Sequence, residues 1–251
     1  MFGMFAAATR HRNVEAPITS FAANTANLSG TGDYFDAGTA LVYGNFDFFV
    51  TARISIASRS YMEIATNQDS AAGDIWRLSV QADRIEFLTS YDTYAPFYTV
   101  SVAIPSGAGV YNVVAGLNRS SNHVYISVNG SAITTTADTS TFTNAGYKTL
   151  FGAVDLGATG LLTGDLSFCG IGRGVPTSLE ITELSSTNAK CYGDLSAGLR
   201  AKFADNGAFY ELANWSGHTG QEITDQTGNA ITLTNVGSIP FTGTGLTVEC
   251  T

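Results

Sequence analysis

The chain has 251 residues, of which 44% are hydrophobic and 13% are charged. Charged residues make up about a quarter of an ordinary globular protein, so we expect a polar but weakly ionic surface. A net charge of −9, with only 12 Lys and Arg residues in all, argues against binding to a nucleic-acid backbone or to an acidic membrane surface. The sequence has no run of about 18 apolar residues, so we expect no membrane-spanning helix.

The first 20 residues follow neither the two-residue period of a strand nor the 3.6-residue period of a helix. Their apolar stretch is short, and basic residues follow it instead of preceding it. We therefore interpret residues 1–20 as an uncleaved arm and not as a signal peptide. Such an arm either frays in solution or docks on a neighbouring subunit through Phe2, Met4 and Phe5. Docking would bury apolar side chains whose burial is worth about 1.5–3 kcal/mol each.

From residue 21 onwards the sequence shows the alternation of β-strands. The longest alternating stretch predicts a strand from Phe46 to Ile56, with even-numbered residues facing the core and odd-numbered residues facing outward. In a later strand Trp76, Leu78 and Val80 form the apolar face. Strands and turns recur at intervals of about 8–12 residues, which is typical of an all-β sandwich. The four strands that follow the long one are predicted at 61–67, 74–81, 84–90 and 97–104.

The middle of the chain predicts a β-hairpin. Apolar residues alternate from Tyr111 to Ala115 and again from Val124 to Val128, and a polar connection from Asn118 to His123 separates the two runs. Asn129 and Gly130 both tolerate positive φ, as a type I′ turn requires, so a third short strand is expected from Ser131. Beyond it we predict a polar connection over 134–144 and strands over 146–155 and 162–175.

Two short helices are predicted near the C-terminal end. Thr177 and Glu180 have the spacing of a capping box, which opens the first helix with Leu179 and Leu184 inward. The second helix is predicted to be capped by Asp194, to bury Leu195, Leu199 and Phe203, and to end at Asn206 and Gly207.

Three parts of the sequence resemble one known family. The run VYISVNG at 124–130 resembles the core segment of laminin-G-like domains, which belong to the concanavalin A-like lectin/glucanase superfamily. The segments GDYFDAG at 32–38 and NFDFFVTAR at 45–53 resemble the opening of the same domains, and the first short helix falls in the expected order. The resemblance implies an all-β, concanavalin A-like jelly-roll β-sandwich with two short helices near the C-terminal end.

The segment from residue 208 resembles the part of a laminin-G-like unit that normally begins it. Either the chain is circularly arranged, so that 208–251 supplies strands to the same sandwich, or a second unit starts there. The few apolar residues of this segment could not form a core alone, which favours one domain over 21–251. The arrangement looks like the versions carried by bacteriophage and uncultured-virus virion proteins.

Catalytic patterns are not found. Glucanases of this superfamily carry a Glu-x-Asp-x-x-Glu strand, and this sequence has none; Glu180 and Glu183 fall on a helix that is predicted to be solvated. A serine hydrolase needs a nucleophile elbow and a histidine, but no Gly-x-Ser-x-Gly is present and His123 is predicted in a solvated hairpin loop. We therefore predict a protein that is not an enzyme.

A cofactor is not expected, apart from a possible calcium ion. Calcium binds carboxylate and carbonyl oxygens, and Asp69 and Asp74 flank one loop that offers them. Asp225 and Asn229 are a second pair of donors, but an Asp before a tight turn usually caps its own backbone. The three cysteines are Cys169, Cys191 and Cys250; free buried thiols are favoured over a bond between Cys169 and Cys191.

Aromatic clusters in loops are the candidates for ligand contact, since clustered exposed aromatics often mark interaction sites. The first cluster is Tyr91, Tyr94, Phe97 and Tyr98, and the second is Trp215 with His218. Each could contact a glycan or another subunit, and core packing is the rival interpretation.

Function is predicted in three forms. The first, which rests on the resemblance, is a non-enzymatic bacteriophage virion surface protein, such as a capsid decoration or fibre component. It would form a homo-oligomer, bind the major capsid or other virion proteins, and have host glycans as possible partners. The alternative is a carbohydrate-binding module of a bacterial cell-surface or extracellular protein. A glycoside hydrolase is the third.

Overall fold

The computed structural model describes residues 21–41, 46–56, 60–69, 73–90, 97–104, 108–139, 147–153, 160–185, 189–212, 222–237 and 239–249. The strands in these ranges are, in chain order, β1 (Phe21–Ser29), β2 (Tyr34–Asp36), β3 (Phe48–Ile56), β4 (Met62–Asp69), β5 (Gly73–Val80), β6 (Arg84–Ser90), β7 (Phe97–Ala103), β8 (Gly109–Asn118), β9 (His123–Val128), β10 (Thr134–Ala137), β11 (Lys148–Phe151), β12 (Thr163–Arg173), β13 (Ala189–Lys190), β14 (Ala208–Tyr210), β15 (Glu222–Ile223), β16 (Leu233–Val236) and β17 (Phe241–Glu249). The helices are α1 (Ser178–Leu184) and α2 (Ala197–Ala204).

The strands form two sheets packed face to face. Sheet A has the order β10-β9-β8-β3-β12-β1-β17-β13, with β14 also paired to β12, and sheet B has the order β15-β16-β2-β11-β4-β5-β6-β7. The strand pairs are antiparallel except for the short parallel pair of β13 with β17. This is a jelly-roll β-sandwich, so the predicted fold class is confirmed.

The core between the sheets is built around aromatic rings. The ring of Phe48 in sheet A lies 5.7 Å from that of Trp76 and 6.3 Å from that of Phe87, both in sheet B. Leu78 and Val80 are buried beside Trp76, as the alternation of β5 predicts. Apolar burial of this extent is the dominant stabilising contribution in a sandwich.

The predicted hairpin is formed by β8 and β9. Asn129 and Gly130 have φ of 50° and 71°, so the predicted positive-φ turn is confirmed. The returning strand, β10, begins at Thr134 and not at Ser131. The start of the predicted polar connection at 134–144 is therefore an exposed edge strand, because its backbone completes the ladder of β9 although its four residues are exposed.

Sheet A is buried on both faces, which the predicted alternation of β3 did not anticipate. β3 begins at Phe48, and Phe46, which was predicted to face the core, is 47% exposed. Phe49, Thr51 and Arg53 were predicted to face outward, and all three are buried. Alternation alone cannot tell an outward face that meets water from one that a further layer covers.

An aromatic cluster forms that further layer with the two helices. The ring of Phe49 meets that of Phe203 in α2 edge-on at 5.0 Å, and the ring of Phe168 stacks on that of Phe209 at 5.5 Å. Leu199 of α2 and Leu184 of α1 belong to the same cluster. The helices are therefore packed on the outer face of sheet A.

Helix α1 begins as predicted but presents a different face. Thr177 caps it and Glu180 returns the hydrogen bond, so the predicted capping box is confirmed. Leu184 is buried as predicted, but Leu179 is 83% exposed, and Ile181 takes the inward position. Glu180 was predicted to be solvated, yet it is buried against α2.

Helix α2 is capped two residues later than predicted. Its N-cap is Ser196, while Asp194 lies in a short 3₁₀ turn before the helix. The predicted inward residues Leu195, Leu199 and Phe203 are all buried. Asn206, with φ of 54°, follows the helix as predicted.

The segment after α2 pairs with both sheets. β14 pairs with β12 and β17 pairs with β1 in sheet A, while β16 pairs with β2 in sheet B. Asp225 accepts hydrogen bonds from the backbone N–H groups of Phe209, Thr227 and Asn229, which is the turn-capping role predicted for it. The side chain of Asn229 donates to three carbonyls at the end of α2, those of Phe203, Ala204 and Gly207.

The cysteines differ from the prediction of free thiols. Cys169 is free and buried, and burial raises the pKa of its thiol well above the usual value. Cys191, in contrast, is disulfide-bonded, to a partner outside the described residues. Three cysteines allow one bond and one free thiol, and the sequence alone did not single out which pair would form it.

Glu180 links the two helices, because Lys202 donates to both of its carboxylate oxygens at 2.9 and 3.0 Å. A side chain at Gly198 would place its Cβ 2.4 Å from one of these oxygens, so the Glu180 carboxylate would have to shift to make room for it. Desolvation raises the pKa of Glu180, but the Thr177 backbone and the Lys202 ammonium outweigh it, so the pKa is lowered overall.

We predict that Glu180→Gln removes a pH-dependent part of the stability. Because the folded pKa lies below the usual value of 4.5, the ionised carboxylate stabilises the fold fully above about pH 4.5, and this contribution is lost as the pH falls through the folded pKa. The wild type should be more stable than the variant at neutral pH, and the difference should shrink in acid. Denaturant unfolding across this pH range measures it.

Lys202→Gln should reduce the same difference, since it removes one cause of the lowered pKa. Parallel loss of stability in the wild type and in Glu180→Gln from neutral to acid pH would show that the carboxylate does not have this role.

Candidate functional site

The outer face of sheet B is the broad sheet surface that α1 and α2 do not cover. We define it as the side chains of β4 to β7 that alternate with those facing the core. Trp76 and Leu78 point into the core, so Arg77 between them points away. Cross-strand register sets these side chains in two rows, one of Thr66, Arg77, Leu88 and Thr99 and one of Glu63, Ser79, Glu86 and Ser101.

Burial divides this outer face into a floor and a contact layer. Glu63 of β4, Ser79 of β5 and Leu88 of β6 are buried. Thr99 and Ser101, on the edge strand β7, are partly exposed, as is Arg77. The hydroxyl groups of Thr99 and Ser101 therefore lie at the accessible edge of the face, where a bound molecule can reach them.

Tyr61, Glu63 and Arg77 form a cluster at the opposite edge of this face. Tyr61 directly precedes β4 and is two residues from Glu63, so both side chains lie on the same side. The Tyr61 hydroxyl donates to Glu63, and Arg77 donates to that hydroxyl at 3.4 Å. The Arg77 guanidinium lies 5.8 Å from the centroid of the Tyr61 ring, within cation–π range. These contacts orient the ring while 43% of Tyr61 stays exposed.

Arg84 and Glu86 form a second charged group on the outer face. The Arg84 Nε donates to Glu86 at 3.2 Å, and its Nη1 donates to Asp83, also at 3.2 Å. The hydrogen bond that Arg84 donates to Glu86, and then the negative charge of Glu86, raise the pKa of Arg84. Glu86 itself is almost fully buried, so its carboxylate is held in one position. The face thus offers both a fixed anion and fixed cations.

The structure separates two residues that the sequence analysis placed in one contact site. Phe97 lies opposite Ser90 on the outer face of sheet B and is 55% exposed. Tyr98 packs against the core between the sheets, and its hydroxyl lies 2.9 Å from that of Thr139. Adjacent residues of a strand point to opposite faces, so only Phe97 is available on this surface.

The remaining predicted contact residues lie outside the described part of the chain: Tyr91, Tyr94, Trp215 and His218, and the arm residues Phe2, Met4 and Phe5. Their roles stay predictions. Tyr61 and Arg77 were missed by the sequence analysis. The one signal was an aromatic residue two positions before a strand carboxylate, which is too common to single out.

The predicted calcium site stays a prediction. Asp69 ends β4 and Asp74 is the second residue of β5, but only their backbones are described. Within the described ranges, no group of three or more His, Cys, Asp or Glu side chains could hold a metal ion. In the same part of the chain, no helix is long and apolar enough to cross a membrane.

Comparison with known proteins places the fold. No protein-family model matches the chain, and no curated protein matches it either. A heptameric SAP-like pentraxin from Limulus polyphemus is 16% identical, with a TM-score of 0.52 over 66% of this chain and 82% of the pentraxin. A protein from Bacteroides ovatus, described as a candidate carbohydrate binding protein, is 14% identical, with a TM-score of 0.56 over 87% of this chain and 58% of that protein.

At these identities the likeness shows the fold alone. The chain shares its two-sheet sandwich with the Limulus pentraxin and with the Bacteroides ovatus protein. Neither of the two structures comes from a bacteriophage. Fold does not fix function, so the proposal below rests on the outer face of sheet B.

Proposed function

We propose that the chain is a non-catalytic carbohydrate-binding module that holds a glycan on the outer face of sheet B. The observation that carries the proposal is the exposed Tyr61 ring, which Arg77 and Glu63 hold at the edge of a polar sheet surface. A sugar has an apolar face of C–H groups and a rim of hydroxyls. An oriented aromatic ring suits the first and fixed polar groups suit the second.

The polar groups next to the ring match a sugar's hydroxyls in kind. Arg77 supplies donors, and the hydroxyls of Thr99 and Ser101 supply both donors and acceptors. These groups lie in the two rows that cross β4 to β7, where neighbouring strands are about 5 Å apart. Phe97 is a second exposed ring on the same face. An extended glycan could contact both rings across the sheet.

The comparisons support the same class of function. The Bacteroides ovatus protein, which shares the fold over most of this chain, is described as a candidate carbohydrate binding protein. This agrees better with the predicted carbohydrate-binding module than with the predicted virion protein. The proposal therefore takes as its main form what the sequence analysis gave as the alternative.

We predict that Tyr61→Ala weakens glycan binding by about tenfold or more, because it removes the stacking ring. Tyr61→Phe keeps the ring and should keep most of the affinity. A glycan array identifies the ligand, and calorimetric titration then measures the dissociation constant for each variant. Circular dichroism checks that each variant is folded.

Phe46→Ala is the matched control. Phe46 is about as exposed as Tyr61 and also carries an arginine over its ring, since Arg173 lies 4.3 Å from the centroid, but it lies two residues before β3 of sheet A. Its loss should leave the affinity unchanged. Equal losses for Tyr61→Ala and Phe46→Ala would remove the outer face of sheet B from consideration.

We keep the absence of catalysis as part of the proposal and name the pair that would overturn it. Glu63 and Glu86 lie on one face, two strands apart, which puts their Cα atoms about 10 Å from each other. Inverting glycosidases use carboxyl groups about 6.5–9.5 Å apart, one of which must give up a proton. Here Tyr61 donates to Glu63 and Arg84 donates to Glu86, so both carboxylates serve as acceptors.

We therefore predict no hydrolysis of the glycan that binds. The test is prolonged incubation of the bound oligosaccharide with the protein, followed by chromatography of the products. Turnover that Glu63→Gln or Glu86→Gln abolishes would make the chain a glycoside hydrolase.

The virion-surface role remains a finer prediction, together with homo-oligomer formation and binding to capsid proteins. The disulfide at Cys191 supports a location outside a reducing cytosol, which a virion surface, a bacterial cell surface and the extracellular space all provide. The carbohydrate-binding proposal holds in each of these locations. The viral role needs its own test through the arm.

We predict that the full chain is an oligomer and that removal of residues 1–20 leaves a folded monomer, since the arm would supply the apolar contact. Light scattering gives the mass of both forms. A monomer in both cases would count against assembly through the arm. An oligomer in both cases would move the contact to another surface.

A further inference from the structure

A cavity lies on the opposite side of the molecule from the outer face of sheet B. It has a volume of about 360 Å³ and lies between β9, the edge strand β10 and the segment that leads into α1. This volume falls in the range of about 300–1,000 Å³ that is usual for small-molecule sites. Among the described residues, no Asp, Glu, Lys or Arg lines the cavity, although the chain as a whole carries a charge of −9.

One wall of the cavity is polar, and its hydrogen-bonding roles are set by contacts within the hairpin loop. The Asn118 Oδ1 accepts from the Ser121 backbone N–H at 3.0 Å, which leaves the Asn118 Nδ2 as a donor. The His123 Nδ1 lies 2.5 Å from the Ser121 carbonyl oxygen. A carbonyl can only accept, so Nδ1 carries the proton and Nε2 is an acceptor in the neutral ring. The Thr135 hydroxyl can serve in both roles.

The facing wall is aliphatic. Val175 and Pro176, between β12 and α1, line it together with Ile181 of α1, and Ile133 closes the side next to β10. Ile133 remains 41% exposed, so the aliphatic wall extends to the mouth of the cavity. A ligand that fills the space must offer hydroxyl-type groups to one wall and an apolar group to the other.

We propose that this cavity binds a neutral sugar unit that carries a methyl or acetamido group beside its hydroxyls. The hydroxyls of a sugar can donate and accept hydrogen bonds. They can accept from the Asn118 amide, donate to the His123 Nε2, and do either with the Thr135 hydroxyl. The methyl of a deoxy sugar or of an acetamido group suits the aliphatic wall formed by Val175 and Ile181. The described lining has no Lys or Arg that could pair with the carboxylate of an acidic sugar.

This site does not depend on the outer face of sheet B, so the two proposals can fail separately. The probes are N-acetylglucosamine and fucose, each with a methyl group, and glucose and glucuronate, which have none. Titration is followed by the imidazole nitrogen signals of His123 and by calorimetry. N-acetylglucosamine or fucose should shift the Nε2 signal and bind about tenfold tighter than glucose, and glucuronate should not bind.

Three variants locate the ligand. Val175→Phe fills the cavity and should abolish binding. Thr135→Val, on an exposed edge strand where the fold tolerates change, should weaken binding by about fivefold through the loss of one hydrogen bond. Val110→Ala, at an exposed position near the start of β8 and far along the strand from Asn118, should have no effect.

The proposal is overturned if neither methyl-bearing sugar shifts the His123 signal, or if glucose binds as tightly as they do. It is also overturned if folded Val175→Phe and Thr135→Val bind like the wild type. Loss of binding in Tyr61→Ala would assign these sugars to the outer face of sheet B instead of the cavity.

Discussion

The constraint on which the rest of the structure depends is the burial of sheet A on both faces. An antiparallel sheet normally packs one face and leaves the other to water. Here Phe49 and Phe168 add a second apolar layer, which α1 and α2 must cover. The bond from Lys202 to Glu180 fixes the two helices to each other over that layer. Polar groups on a broad sheet surface are thereby left to sheet B, whose outer face is the candidate site.

The strands could be predicted from sequence because the alternation of apolar and polar residues indicates which side chains are buried against the opposite sheet. It works for β5, where Trp76 and Leu78 alternate with polar residues. It fails for β3, since Thr51 and Arg53 look like a solvent face until α2 is in place. The error at Leu179 has a related cause. In a helix of seven residues, moving one position turns the side chain by about 100°, and only tertiary contacts decide which face is inward.

The candidate site was predicted only in part, because its residues lie far apart along the chain. The clustering of aromatic residues along the chain predicted Phe97 as a contact residue, but it also predicted Tyr98. The side chain of Tyr98 points towards the core, because neighbouring residues of β7 point to opposite faces. Tyr61 was not predicted, because no other aromatic residue lies next to it in the sequence. What sets it apart is Arg77, which reaches it from the next strand and lies 16 residues further on. Sequence patterns record neighbours along the chain, whereas this site is built from neighbours across the sheet.

Helix α2 also bears on the order in which parts of the chain fold. It has eight residues, and isolated helices shorter than about 12–15 residues are marginal in water. Gly198 weakens it further, and its last carbonyls wait for Asn229, which lies more than 20 residues downstream. The helix therefore becomes stable only after the turn that carries Asn229 has joined the sandwich. Until then a folding chain keeps Phe49 and Phe168 uncovered, so its exposure to aggregation lasts as long as this late step.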